Sequence, residues 1–288
     1  MLISNKLHSF RNFPPQTNIN YLFCLYLLLI YHIRLAMEFY DNLGKVLSEM
    51  PGISLDEMSG VRLMNRTDTK FLANKSLLLK FFELAKNDYF VQKTDGSPVA
   101  EYNTTYWDTP DHRFYLLHHD GIRPRIKVRV RTYIDSALSF LEIKNKDNHN
   151  KTRKKRRPLA SPEAIDTEEN EEFLINKAAV GIEDIHPCLK NNFKRITLVN
   201  KNRTERLTID YDLSFYNIET DVSMNMGNLV IIELKREGRS PSPALNCLLK
   251  LRIKPQGFSK YCIGTYLTNK NIKGNMFKDR IPTIKKLV

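Results

Sequence analysis

Between Arg123 and Arg157 the chain reads R-P-R-I-K-V-R-V-R-T-Y, then F-L-E-I-K-N-K, then K-T-R-K-K-R-R, and the first two runs alternate charge with apolar bulk. A β-strand sends successive side chains to opposite faces. Arg125, Lys127, Arg129 and Arg131 therefore share one face, while Ile126, Val128 and Val130 share the other. The next run repeats the arrangement, with Glu142, Lys144 and Lys146 on one side and Leu141 and Ile143 on the other. Rows of like charge on neighbouring strands repel, so an anion is expected among them.

The whole chain carries the same bias. Its 288 residues include 45 Lys+Arg against 32 Asp+Glu, a formal net charge of +13. That excess implies a polyanionic partner: nucleic acid, polyphosphate, nucleotide or an acidic membrane surface. Cys24, Cys188, Cys247 and Cys262 stand far apart without C-x-x-C pairing, against a zinc site or a disulfide framework, and read as buried hydrophobes in a reducing, cytoplasmic protein.

The apolar run 21–33 has about 13 residues, short of the ~20 that span a bilayer as a helix. Residues 1–36 are expected to be a short hydrophobic leader or an extension upstream of a start at Met37. Residues 37–288 are expected to form a single domain, beginning with the amphipathic helical spacing that follows Glu38.

Along that domain the spacing predicts strands over 61–72, 89–92, 101–108, the two basic runs, 152–156, 193–200, 206–215 and 229–235. Helices are predicted over 75–87 with Asn74 as N-cap, over 110–119, over 158–191 and over 241–253, with a basic amphipathic helix at 275–287. Antiparallel neighbours joined by short connections favour an α+β fold whose eight or so strands close, or nearly close, into a barrel with flanking helices. If the charged faces point inward, the barrel encloses a cationic, water-filled tunnel.

The interior-facing candidates are then Lys70, Arg129, Arg131, Lys144, Lys154, Arg195, Arg206, Lys235 and Lys260, with Glu142, Asp210 and Glu233 as carboxylates. Arginine forks match phosphate oxygens and lysine supplies a compact charge, so such walls suit a chain of phosphates. A few carboxylates among them can hold Mg²⁺ or Mn²⁺. Phosphoryl transfer needs little beyond positioning and charge neutralisation.

At this level of detail the chain resembles a known family. Arg66-T-D-T-Lys70-F, Tyr102-x₃-Y-W-D-T-P, His118-H-D-G, Arg125-x-K-x-R-x-R-x-Y, Phe140-L-E-I-K-N-K, K-T-R-K-K-R, Glu205-R-L-T-I-D, Ile231-I-E-L-K and Phe258-S-K-Y are together similar to the catalytic domain of the vacuolar transporter chaperones, VTC. That domain is the polyphosphate polymerase branch of the CYTH-like triphosphate tunnel metalloenzymes. The chain looks like the compact bacterial members, which lack the SPX domain and the membrane helices of the fungal complex.

The resemblance implies a β-barrel tunnel that moves the γ-phosphate of ATP onto a growing polyphosphate chain with Mn²⁺ or Mg²⁺. Lys70, Arg129, Arg131, Lys144, Lys154, Arg195, Arg206 and Lys260 then correspond to phosphate contacts, with Lys235 beside them. Arg129, Arg131, Arg195, Arg206 and Lys260 correspond to the ligands of the bound nucleotide. Glu233 corresponds to the metal ligand, and Glu142 is a second candidate. The implied partners are ATP and inorganic polyphosphate, with room for a membrane protein that receives the product and no need of nucleic acid.

Two departures bear on activity. Tunnel triphosphatases carry E-x-E-x-K in the first strand, where this chain has Arg66 and Asp68, which favours a polymerase over the alternative of a triphosphatase. Gly257 stands where fungal relatives carry a lysine, a contact that Lys254 is the candidate to replace. A non-catalytic polyphosphate or nucleic-acid binder is the other alternative, because the run 151–157 in isolation also fits a nucleic-acid patch. His118 and His119 read as packing or capping residues, and Tyr102, Tyr106 and Trp107 as core aromatics rather than a stacking surface for adenine.

Overall fold

The alternating runs are strands, and their charged positions lie opposite one another in the ladders. The structure, a computed structural model, describes residues 15–59, 66–149, 151–238 and 240–288. It divides at residue 48 into an N-terminal unit and a body over Glu49–Val288.

The N-terminal unit is helical, with α1 spanning Pro15–Glu49 and running without a break through Met37. Its stretch Leu22–Glu49 is long and apolar enough, by length and composition, to cross a membrane. Leu22, Phe23, Tyr26 and Leu28 are exposed there, and so is Cys24, which corrects the expectation that all four cysteines are buried. The other three are buried.

In the body, β1 (Gly52–Ile53) and α2 (Leu55–Ser59) precede β2 (Arg66–Asn74); the predicted positions 61–65 lie outside the described residues. The helix α3 (Lys75–Ala85) starts where Asn74 Oδ1 accepts the Leu77 N–H at 2.8 Å, the cap expected from the sequence. After β3 (Tyr89–Gln92) come β4 (Ala100–Asp108), α4 (Arg113–His119), β5 (Arg125–Tyr133), β6 (Leu138–Lys146) and β7 (Thr152–Leu159). Then follow α5 (Glu168–Ala178), β8 (His186–Asn200), β9 (Glu205–Asn217), β10 (Val222–Asn225), β11 (Leu229–Glu237), α6 (Pro243–Lys250), α7 (Lys260–Thr268) and α8 (Ile281–Leu287).

Eight strands form the main path, in the order β2-β11-β9-β8-β4-β5-β6-β7, and every ladder along it is antiparallel. This is the predicted α+β fold with its flanking helices. Among the described residues no ladder joins β7 to β2, so the hydrogen-bonded path stays open. The sheet nevertheless curls on itself, because Lys70 of β2 and Thr152 of β7, from the two ends of the path, line one cavity.

Two of the apolar clusters among the described residues hold the curl. Val128, Val130, Leu141 and Ile143, the apolar partners in the alternating runs, pack outward on Leu174 and Ala178 of α5. Leu189, Phe193, Phe215 and Ile231 pack on Tyr261, Cys262 and Ile263 of α7 and on Ile284 of α8. Gly264 makes this second contact close. A Cβ there would sit 2.6 Å from the Phe215 ring, so α7 lies against the sheet at a distance only glycine allows.

Helix over most of 158–191 is corrected: α5 covers only Glu168–Ala178, and β8 already begins at His186. Residues 186–192 lack clean alternation, but β4 and β9 supply partners on both sides, and pairing decides their conformation.

A cationic tunnel as the candidate active site

Ladder register brings the charged positions into three clusters on one face of the sheet. In the first, Arg129 of β5 faces Glu142 of β6, donating from Nε at 2.8 Å and Nη2 at 2.6 Å to the same carboxylate oxygen. Lys154 on the edge strand β7 pairs with the other oxygen. Glu142 is 1% exposed. Burial pushes its carboxyl up, but Arg129, Arg131 and Lys154 outweigh it and hold the pKa near about 2.

The second cluster joins β8, β9 and α7. Arg195 grips Asp210 bidentately, Nε to Oδ1 at 2.6 Å and Nη2 to Oδ2 at 2.8 Å, and Lys260 reaches Oδ2 from the start of α7. The α7 turn is fixed by Ser259, whose Oγ accepts the Cys262 N–H at 3.3 Å, so the S-K-Y motif is a helix cap that aims its lysine into the tunnel. Burial pushes Lys260 down to about 7 despite the attraction of Asp210.

Aromatic rings floor this cluster. Tyr102 and Phe193 stack with centroids 5.0 Å apart, and the guanidiniums of Arg131 and Arg195 lie 5.4 and 5.2 Å from the Tyr102 centroid. Lys260 Nζ sits 3.6 Å from the centre of Phe193. Tyr102 is thus a seat for cations on the tunnel face, which its spacing as a strand aromatic did not distinguish from core. Tyr106, stacked on Tyr261, is core as expected.

The third cluster lies on β2 and β11, where Glu233 pairs with Lys70 and, at 3.1 Å, with Lys235. Burial acts first on the Glu233 carboxyl, raising it, and the two lysines overcome that and hold it well below the usual range. Lys235 also lies 3.7 Å from Asp68. Arg206 stands opposite Lys235 in the ladder, on the same face.

All nine predicted cations are therefore placed by register or contact on the charged face, and two of them, Lys70 and Lys144, line a cavity there. That cavity, of about 430 Å³, adds groups outside the interior-facing candidates: His118, Arg125, Lys127, Lys146 and Arg280, beside Lys70, Lys144 and Glu233. Lys127 Nζ donates to Ser259 Oγ at 2.7 Å, tying β5 to α7. Burial lowers Lys127, and burial together with Lys127 lowers Lys144 to about 8. The spacing of the first basic run already put Arg125 and Lys127 on the face of Arg129, so period two was the signal that could have found them.

His119 is packed as expected, with Nδ1 at 2.6 Å from Asp120 and Nε2 accepting the Met276 N–H at 3.2 Å, whereas His118 lines the cavity. Lys254 is exposed and does not line it. At Gly257 the nearest neighbour of a built Cβ is Arg280 Nη1, 3.8 Å away, so Arg280 is the cation beside that glycine.

A curled antiparallel sheet of eight principal strands with a cation-lined interior defines a triphosphate-tunnel protein. The chain belongs to the VTC family: the model of the VTC domain matches residues 65–269. No curated protein sequence matches it. Among solved structures it is similar to a putative adenylate cyclase of Vibrio parahaemolyticus, 10% identical with a TM-score of 0.41, the match covering 70% of this chain and 99% of that one. It is also similar to a putative adenylyl cyclase of Hippeastrum for which a dominant triphosphatase activity is described. That match is 12% identical with a TM-score of 0.46 and covers 72% of this chain and 97% of the other. A putative adenylate cyclase of Bacillus halodurans matches at 13% identity and a TM-score of 0.40, over 68% of this chain and 96% of that one.

Proposed function

We propose that the chain is a polyphosphate polymerase that transfers the γ-phosphoryl group of ATP to the end of an inorganic polyphosphate chain inside the tunnel. One observation carries this reading: at the cavity the cations outnumber the carboxylates, and each carboxylate is already committed to cations. Glu233 holds Lys70 and Lys235, while Arg125, Lys127, Lys144, Lys146 and Arg280 share the cavity walls. A chain of phosphates supplies the missing charge at the spacing of the strands.

In this reading Arg129, Arg131, Arg195, Arg206 and Lys260 hold the triphosphate, and Lys70, Lys144, Lys154 and Lys235 neutralise charge along the phosphate chain. The bond from the γ-phosphorus to the β-bridging oxygen breaks and ADP leaves with the electron pair. A terminal phosphate oxygen of the acceptor forms the new bond. No protein nucleophile is required, and catalysis lies in alignment and charge neutralisation.

The donor set fits a divalent ion that arrives with its substrate better than a metal site built by protein alone. Among the described residues no group of three His, Cys, Asp or Glu converges. Glu233 lines the cavity and offers one carboxylate, which suits Mg²⁺ or Mn²⁺ completing its shell with phosphate oxygens and water. Glu142 is more deeply enclosed and would reach an ion only by giving up Lys154. Held by Glu233, such an ion would supply charge neutralisation to the transferring phosphoryl group.

A second reading, hydrolysis of triphosphate, is favoured by one feature. Asp68 and Glu233 flank Lys235 at 3.7 and 3.1 Å, placing two carboxylates at one cavity. Incubation of the full chain with ATP and Mn²⁺ separates the two. A polymerase yields ADP and a ladder of phosphate chains on a gel; orthophosphate as the sole phosphate product overturns the polymerase reading in favour of the hydrolase.

A further inference from the structure

Among the cavity groups left without a task in the transfer just described, one is a histidine. His118, in the last turn of α4, lines the cavity wall. Its Nδ1 is buried and meets no hydrogen-bond partner among the described residues. Buried polar atoms are nearly always satisfied, so an orphaned nitrogen on a ring that lines a cavity points to a partner that arrives with the ligand. We propose that His118 is a further phosphate-binding group of this cavity and takes up a proton as a chain of phosphates enters. The inference rests on the reading above that the cavity receives phosphates.

The charges facing the ring come from several elements. β5 contributes Arg125 and Lys127, β6 contributes Lys144 and Lys146, and Arg280 stands just ahead of α8. The two carboxylates of the cavity, Asp68 and Glu233, lie near Lys235 and Lys70. Just ahead of α7, the Ser259 hydroxyl lines the same cavity and accepts from Lys127. Next along the chain, Asp120 is engaged by His119 and by Lys273 at 2.8 Å.

Without an anion, burial and then the repulsion of Lys127, Arg125, Lys144 and Arg280 keep the imidazole neutral, at a pKa of about 2. Phosphate oxygens among those cations replace repulsion with attraction. The imidazolium then becomes the favoured form, the proton comes from solvent, and a ring N–H donates to a phosphate oxygen.

Calorimetry of tripolyphosphate binding to the full chain at pH 5.5, in two buffers of different ionisation enthalpy, counts the protons taken up. At that pH Lys260 and Lys144, with pKa values of about 7 and about 8, are already charged. The ligand's own proton balance is common to wild type and His118→Gln. Wild type is expected to take up close to one proton more than the variant. If the bound ring regains a pKa of ~6.5, wild-type affinity falls about tenfold more between pH 5.5 and 7.5. Equal proton counts and parallel pH profiles overturn the inference and leave the phosphate tunnel standing, whereas failure of tripolyphosphate to bind wild type overturns both. Nitrogen-15 spectra of the seven histidine rings in wild type give the answer without a variant. One ring must pass from neutral to protonated on adding tripolyphosphate at pH 5.5, and none doing so refutes the proposal.

Discussion

Arg195 and Asp210 meet fork to fork across β8 and β9, at 2.6 and 2.8 Å, and Lys260 shares the same carboxylate. The carboxylate therefore braces two cations that would otherwise repel across the tunnel, and its removal leaves both partly buried and unpaired. Asp210→Asn is expected to lower the stability of the body by about 3 kcal/mol, the scale for breaking a buried pair from one side. An anion should substitute for the lost charge. Urea denaturation with and without tripolyphosphate checks this: the variant should recover more stability from the ligand than wild type does, and equal recovery refutes the bracing role.

Wild type itself should be stabilised by the ligand, because bound phosphate relieves the repulsion of the open cavity. At a hundredfold excess over Kd the linkage is worth about 2.7 kcal/mol. A melting temperature unmoved by tripolyphosphate would remove the ground for reading the cavity as a phosphate site.

How much of this was legible in the sequence follows from where each group resides. Charged residues on strands lie on the face that period two gives them, and antiparallel register then sets Arg129 opposite Glu142 and Arg195 opposite Asp210. Of the groups delivered by helices and turns, Lys260 was reached only through its F-S-K-Y motif, and His118 and Arg280 were not reached. His118 reaches the cavity because α4 is pinned against the sheet, and Arg280 because the chain ahead of α8 returns beside Gly257. Neither position has a local pattern that names its neighbour. The early start of β8 was hidden for a related reason, since its first residues are strand only by virtue of two partners.

The pH dependence of stability should have two limbs. Glu142 has a folded pKa of about 2, below its ordinary value, and Asp210 and Glu233 are shifted in the same direction. A depressed carboxyl contributes stability that is present above the ordinary carboxylate pKa and lost as pH falls toward the folded value, so acid unfolding should set in below about pH 4.5. Lys260 and Lys144 are depressed to about 7 and about 8, so between there and about 10.4 the folded state binds fewer protons than the unfolded one. Their contribution to stability consequently rises with pH across that window, while affinity for tripolyphosphate falls as the same lysines lose charge. Melting temperature and affinity that both rise from pH 7 to pH 9 would contradict this assignment.

Glu233→Gln tests the metal-holding role directly. Without its negative charge Lys70 and Lys235 are released to phosphate, so tripolyphosphate binding should be retained or tightened. Turnover with ATP and Mn²⁺ should drop by roughly 10²–10³, the scale for losing one preorganised electrostatic contact to the transferring group. A pure binder would show no change in turnover because it has none. A polymerase that kept full activity would show that the divalent ion is held elsewhere.

The positions of His118 and Lys260 both depend on a residue that touches neither. Asp108, fully buried at the end of β4, accepts the backbone N–H groups of Thr109, Phe114 and Tyr115 at 2.8 Å each, and the hydroxyl of Tyr261. It thereby satisfies the free N–H groups at the start of α4 and ties the same carboxylate to α7, one residue after Lys260. Asp108→Asn keeps the volume but halves the accepting capacity, leaving at least one of these donors unsatisfied, a loss of about 1–3 kcal/mol. Because α4 carries His118 and α7 carries Lys260, loosening this joint should also weaken tripolyphosphate binding, even in urea-free solution where the fold persists. A variant destabilised to that extent but with wild-type affinity would show that the two helices are positioned by the apolar core alone.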